Sequence, residues 1–245
     1  MVENNPTVTR AARVAWIDLD DTLWDFKANS RIALAKLYEL YALDRFWPTV
    51  EAWIENYQRH NHHLWDLYNH ARISKKYLMQ QRFRRPLVEI GAPQAHELGD
   101  RFDYEYLDLL ADCTQLVDGA IDLLKRFRDA GWKTGILSNG FTEVQHRKIR
   151  NSGLEPYIDY IVLSDDIGVN KPDVRIYRHA ESVAGVTADA CLMIGDNPDN
   201  DIKGAIDAGW RAIYLDRKDK PFSSSSPLYL GRCTTLMEIF PMLTH

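Results

Sequence analysis

Residues 14 to 25 read VAWIDLDDTLWD, and how this stretch is read decides the fold. Val14, Ala15, Trp16 and Ile17 form an apolar run with the length of a buried strand. The run stops at three carboxylates, Asp18, Asp20 and Asp21, with Thr22 behind them. Like charges at this density repel, and their burial is costly unless something positive meets them. A strand that delivers them to one place therefore points beyond itself, to whatever offsets the charge.

Outward from this strand, the carboxyl-terminal half is regular. Ala120, Leu123, Leu124 and Phe127 recur at helical spacing behind Asp118 and Gly119, and Gly131 closes that helix. KTGILSNG (133 to 140) reads as a strand entering a polar turn. Thr142 to Gln145 fits a capping box for a helix that ends at Gly153. YIVLS (160 to 164) is the next strand, and a helix runs from Asp173 to Gly185. ACLMIGD (190 to 196) and RAIYLD (211 to 216) are strands on either side of a helix that ends at Gly209. SSSS (223 to 226), between prolines, is a loop. Alternating strands and helices with short connections predict an α/β fold, a parallel sheet covered on both faces.

Residues 26 to 115 have a different character. They lack β-rich runs, show helical periodicity (Leu34, Leu37, Tyr38, Tyr41) and are dense in aromatics, among them Trp47, Trp53, Tyr57, Phe83, Phe102 and Tyr106. The expected organisation is a Rossmann-like core made of residues 1–25 and 116–245, with a helical domain inserted over 26–115. Its aromatics are expected to form its own core.

The chain has 245 residues, 45% of them hydrophobic, and a formal net charge of -5. That balance argues against binding a nucleic-acid polymer, which requires a basic face. Cys113, Cys191 and Cys233 are odd in number and widely separated, as reduced thiols would be. With a polar amino-terminal stretch and no apolar run of membrane-spanning length, a cytoplasmic protein that does not enter membranes is expected, as a monomer or a dimer. His60, His62, His63 and His70 tempt a zinc reading, but lack Cys or acidic partners at zinc-site spacing.

Four polar clusters fall at strand ends or just beyond: DLDDT (18 to 22), SNG (138 to 140), NKPD (170 to 173) and GDNPDND (195 to 201). In open parallel sheets the ligand crevice lies at the carboxyl ends of the strands, so these clusters converge. Asp18 and Asp196 together make a hard oxygen site suited to Mg²⁺. Ser138 and Lys171 add a hydroxyl and a point cation, which suits a phosphoryl ligand, and Gly140 lets backbone N–H groups approach it. A carboxylate in such a site can attack phosphorus, and a second one two residues on can move protons.

In order and spacing the clusters resemble the four motifs of the haloacid dehalogenase superfamily. The resemblance implies that Asp18 is the nucleophile and a Mg²⁺ ligand. It makes Asp20 the general acid/base, with its backbone carbonyl on the metal, and Asp196 a further ligand. Ser138, Lys171 and the backbone of Asn139 would hold phosphoryl oxygens. Thr22 would support the loop, and Asp201 would act through water or orient a ligand. Asp21 stands where many relatives have glycine. Asp20 argues for phosphoryl transfer over dehalogenation, because halide needs no proton on leaving. The insert's position between the first two motifs resembles a C1 cap, which implies a small phosphomonoester substrate.

The segments WDF (24 to 26), RRP (84 to 86), SNGF (138 to 141) and Ile161 to Asp173 resemble the YjjG-like pyrimidine 5′-nucleotidases, implying UMP, dUMP or dTMP as substrate. Phosphoglycolate or sugar phosphates, and a phosphomutase, are the alternatives within enzymes. A phospho-aspartate signalling module is the non-enzyme alternative. Receiver domains place their phosphorylated Asp on a later strand than the acidic pair, whereas Asp18 and Asp20 share one motif here.

Overall fold

The computed structural model describes residues 12–243, so most of the polar amino-terminal stretch lies outside it. The strands are β1 (Val14–Ile17), β2 (Lys133–Ser138), β3 (Tyr160–Leu163), β4 (Cys191–Gly195), β5 (Arg211–Leu215) and β6 (Tyr229–Cys233). They form one sheet in the order β3-β2-β1-β4-β5-β6, and every neighbouring pair is parallel. β1 lies in the middle, with Ile17 level with Ile136 of β2 and with Ile194 of β4. That register brings the residues after β1, β2 and β4 to one edge.

Alternation along β1 sends its side chains to opposite faces. Ala15 and Ile17 join a core with Leu123, Leu124 and Phe127 of α5 (Ala120–Asp129). Val14 and Trp16 join the opposite core with Ile176, Tyr177 and Ala180 of α8 (Val174–Ala184). Trp16 stacks on Trp210 with centroids 6.1 Å apart. Gly135 makes room for that indole, since a Cβ there would sit 2.5 Å from its ring.

β6 is a strand that no apolar run announces. It lies at the sheet edge, and only Cys233 of its five residues is buried. An edge strand half in water needs little hydrophobic pattern.

Residues 26 to 111 carry four helices: α1 (Phe26–Leu40), α2 (Val50–Asn69), α3 (Lys75–Glu89) and α4 (Ala95–Ala111). Asp25, Thr49 and Ser74 cap the first three by accepting a backbone N–H with their side chains. Trp53, Tyr57, Phe83, Phe102 and Tyr106 are buried between them, with Tyr57 and Phe83 stacked at 4.5 Å. The aromatics are thus mostly interior, although Tyr77 and Tyr104 are exposed.

The two crossings between this bundle and the sheet are joined to each other. Asp25 donates its N–H to the Gln115 carbonyl at 3.0 Å, and Val117 donates to the Leu23 carbonyl at 2.9 Å. Asn29 and Gln115 exchange two further hydrogen bonds. Trp24 Nε1 donates to the Cys113 carbonyl at 3.2 Å. Among the described residues no helix is long and apolar enough to cross a membrane.

The remaining helices are α6 (Thr142–Asn151), the single turns α7 (Ser164–Ile167) and α9 (Gly204–Asp207), and the short α10 (Ile239–Met242). A wide, π-type turn over Pro198–Lys203 precedes α9.

Candidate active site

At the carboxyl edge of the sheet the β1 backbone continues one residue further, with the Asp18 N–H donating to the Ile194 carbonyl at 2.9 Å. This fixes the Asp18 side chain between β2 and β4. Its Oδ1 accepts from Lys171 Nζ at 2.7 Å, and the same ammonium reaches Asp201 Oδ1 at 2.6 Å. Lys171 is nearly fully buried. Asn139 holds the backbone behind it, accepting the Lys171 N–H at 2.8 Å and donating to its carbonyl at 3.0 Å. A loop after β3 is thereby pinned to the loop after β2.

Asp201 occupies the wide turn after β4. Its Oδ2 accepts the Asn197 N–H at 2.9 Å. A Cβ on Gly195 would meet Asp201 Oδ2 at 2.2 Å, so only glycine leaves space for this carboxylate. Asp18, Asp196 and Asp201 each bring a carboxylate oxygen within 4.8 Å of the others.

Asp196 is paired with Lys218, whose Nζ lies 2.7 Å from it and 2.9 Å from Asp21. Asp21 has φ +60°, in the left-handed region that favours glycine and that Asp tolerates better than most residues. Its Oδ1 accepts the Lys27 N–H at 3.0 Å, which offsets part of that cost.

Asp20 is turned elsewhere. Gln145 Nε2 donates to its Oδ2 at 2.9 Å and Lys148 Nζ to its Oδ1 at 2.7 Å. The same Gln145 nitrogen donates to Ser138 Oγ at 2.8 Å, and the Gly140 N–H donates to that oxygen at 3.2 Å. Thr22 is fully buried, and its hydroxyl has no hydrogen-bond partner among the described residues.

The electrostatics follow from this crowding. Burial pushes the Asp18 carboxyl well above the usual range; Asp201 and Asp196 add to the rise and Lys171 opposes it. Burial raises Asp196 to about 6 against the pull of Lys218. Burial alone would lower Lys171, but Asp18 and Asp201 overcome it and hold the ammonium above the usual lysine range. The five carboxylates of the cluster, Asp18, Asp20, Asp21, Asp196 and Asp201, face the ammonium groups of Lys148, Lys171 and Lys218. With all five ionised, two negative charges are left over. A set of hard carboxylate oxygens with that excess fits a divalent cation of the Mg²⁺ kind.

One sequence reading needs revision. Thr142 and Gln145 do not form a capping box. Phe141 is the residue before α6 and offers no side-chain cap. The Thr142 N–H is taken by Asp165 Oδ2 at 3.2 Å and its hydroxyl by Asp166 at 2.6 Å. Gln145 is thereby free to reach Asp20. Gly140 serves that reach, because a Cβ there would lie 2.2 Å from Gln145 Nε2. Gln145, Lys148 and Lys218 were not among the expected site residues. A lysine three residues after a glutamine reads as ordinary helix surface until α6 is docked.

On the insert side, Trp65 and Tyr68 approach the site loops. Both pack on Phe141, at 5.4 and 6.4 Å between centroids. Arg82 is buried with Asp103, and His63 faces solvent. His60 is engaged by Glu89 at 2.6 Å. Lys75 of α3 meets Asp165 at 2.6 Å, and Asn139 Nδ2 donates to Asn69 Oδ1 at 3.1 Å, so the bundle touches the loops that carry the site.

The family model for haloacid dehalogenase-like hydrolases matches residues 12–209. Pyrimidine 5′-nucleotidase PynA of Streptococcus pneumoniae is 31% identical over 200 residues, 81% of this chain and 81% of its own. Pyrimidine 5′-nucleotidase YjjG of Escherichia coli is 30% identical over 204 residues, 82% of this chain and 85% of its own. Among solved structures, the magnesium-bound HAD-hydrolase YfnB of Bacillus subtilis superposes with a TM-score of 0.82 at 28% identity. That match covers 96% of this chain and 100% of YfnB.

Proposed function

The chain belongs to the haloacid dehalogenase-like hydrolase family, and on that premise we propose that it is a Mg²⁺-dependent phosphomonoesterase acting on pyrimidine nucleoside 5′-monophosphates. The observation that carries the reading is the meeting of Asp18, Asp196 and Asp201 within 4.8 Å of one another, with Lys171 between two of them and Asp20 held apart. The likeness to two pyrimidine 5′-nucleotidases supports the substrate class.

In this reading Asp18 and Asp196, with the Asp20 carbonyl, hold Mg²⁺, and Asp201 orients the set. When bound, the ion neutralises the phosphoryl oxygens and the excess charge of the cluster. Asp18 attacks phosphorus and forms an aspartyl phosphate. Asp20 protonates the departing ester oxygen, then takes a proton from the water that releases phosphate. Lys171, Ser138 and the Asn139 backbone bind the phosphoryl oxygens, and Lys171 also restrains the Asp18 carboxylate. Residues 26–115 act as a cap: α2 and α3 lie over the loops after β2 and β3 and keep bulk water from the intermediate.

The test is phosphate release from a panel of monophosphates, with and without EDTA. Selective, EDTA-sensitive release from UMP, dUMP or dTMP is the expected result. A preference for sugar phosphates or phosphoglycolate discards the nucleotide assignment and keeps the phosphatase. Release that EDTA leaves intact removes the metal from the reading.

A further inference from the structure

Two buried polar side chains outside the four motifs meet at Asp20. Gln145 and Lys148 lie three residues apart on one face of α6, and both are almost fully buried. Lys148 Nζ sits 4.4 Å from the centroid of Trp24 and 5.5 Å from that of Phe26. A buried ammonium is costly, and here two ring faces and one carboxylate offset the cost.

A structural ion pair tying α6 to the turn after β1 is the plain alternative. Any carboxylate of that turn would serve such a pair, and Asp21 is instead taken by Lys218 and the Lys27 N–H. Lys148 selects the carboxylate that moves the proton in the reading above. Asp20 also differs from its partners in exposure: its side chain is 28% exposed and that of Lys148 4%. Both its oxygens are engaged, yet the carboxylate stays partly exposed. Gln145 adds a second constraint, because one amide nitrogen serves both Asp20 and Ser138. The proton-transfer group and the phosphoryl-binding hydroxyl are thereby held at a fixed separation.

We infer that Gln145 and Lys148 are positioning residues for Asp20, setting the orientation from which it delivers a proton to the leaving oxygen. The inference rests on Asp20 being the acid/base. In the first step the Asp18–phosphorus bond forms and the ester P–O bond breaks. The Asp20 proton passes to the departing alcohol, and the carboxylate left behind is received by the Lys148 ammonium and the Gln145 N–H. In the second step the water oxygen bonds to phosphorus, the Asp18–phosphorus bond breaks, and the water proton returns to Asp20. Lys148 keeps its charge throughout. Alkyl esters, whose leaving oxygen must be protonated, therefore depend on the pair. A p-nitrophenyl ester, which leaves as a stable phenolate, depends on it much less.

The experiment compares UMP with p-nitrophenyl phosphate in wild type, Lys148→Met, Lys148→Arg, Asp20→Asn and the Asp20→Asn/Lys148→Met double variant. Lys148→Met is expected to lower kcat on UMP by ~10²-fold with little change in KM, and at least ~10-fold less on p-nitrophenyl phosphate. Lys148→Arg is expected to recover part of the loss. The double variant should fall no more than ~3-fold below Asp20→Asn, since the lysine acts through the missing acid. Equal losses on both substrates, or losses that multiply in the double variant, overturn the inference and leave a structural ion pair. An Asp20→Asn variant indifferent to the leaving group instead overturns the acid/base assignment, and the inference falls with it. If Lys148→Met does not fold, Gln145→Leu carries the same comparison.

Discussion

The crevice at the strand ends and the four-helix bundle above it are built by opposite rules. The bundle is held by apolar area: Trp53, Tyr57, Phe83, Phe102 and Tyr106 pack edge and face with almost no water contact. The crevice concentrates five carboxylates and three lysines whose charges do not balance. In the first region the buried rings contribute to stability. In the second, unbalanced charge costs stability, and on the proposed reading a ligand of opposite charge offsets that cost. Substitutions in the two regions should therefore separate folding from chemistry.

The largest effect belongs to the crevice. If Asp18 is the nucleophile as proposed, Asp18→Asn should lower phosphate release by ~10⁴-fold or more, while melting temperature without Mg²⁺ holds or rises. A variant that keeps substantial turnover would break the comparison at its centre. The bundle should show the reverse. Trp53→Ala removes a fully buried indole that also donates to the Leu34 carbonyl at 3.1 Å. It should cost ~3–5 kcal/mol in denaturant unfolding, with the turnover of the molecules still folded affected far less than by Asp18→Asn.

A smaller effect sharpens the contrast through pH. Asp196 is raised from 3.8 to about 6 by burial, so the folded chain holds this proton where the unfolded chain has lost it. Without metal, its contribution lowers stability as pH rises through the window between those values. On the proposed reading, Mg²⁺ binds the ionised form. The stabilisation produced by Mg²⁺ should therefore shrink by ~1 kcal/mol or more between pH 7.5 and pH 5. In Asp196→Asn this pH-dependent part should disappear. Smallest of all is Glu51→Gln, which breaks an exposed pair with Arg31 at 2.6 Å; chemical denaturation should register no more than ~0.5 kcal/mol.

The same contrast governs what the sequence conveys. Asp18, Ser138, Lys171 and Asp196 are legible because a parallel sheet gathers its strand ends, so strand-end polarity maps onto space. The aromatic helices are legible by their period as a packed bundle. Gln145 was not legible: three residues after Thr142 it satisfies a local capping pattern, and only the approach of α6 to the turn after β1 shows that its amide is used elsewhere. Lys148 and Lys218 carry no local pattern, since their partners are distant in the chain. β6 escaped because an edge strand does not need an apolar run. The glycines at 140 and 195 were visible, but their purpose was not. Each leaves room for a side chain five or six positions further on.

The paired crossings near Leu23 and Val117 have a consequence for how such a chain diversifies. Where the path leaves the sheet and where it returns, the two strands of backbone are already hydrogen-bonded to one another. To the sheet, everything between them is a closed loop of unspecified content. Its length and composition can be exchanged without altering the distance the scaffold must span, so the insert can change as a cassette while the strand ends keep their places.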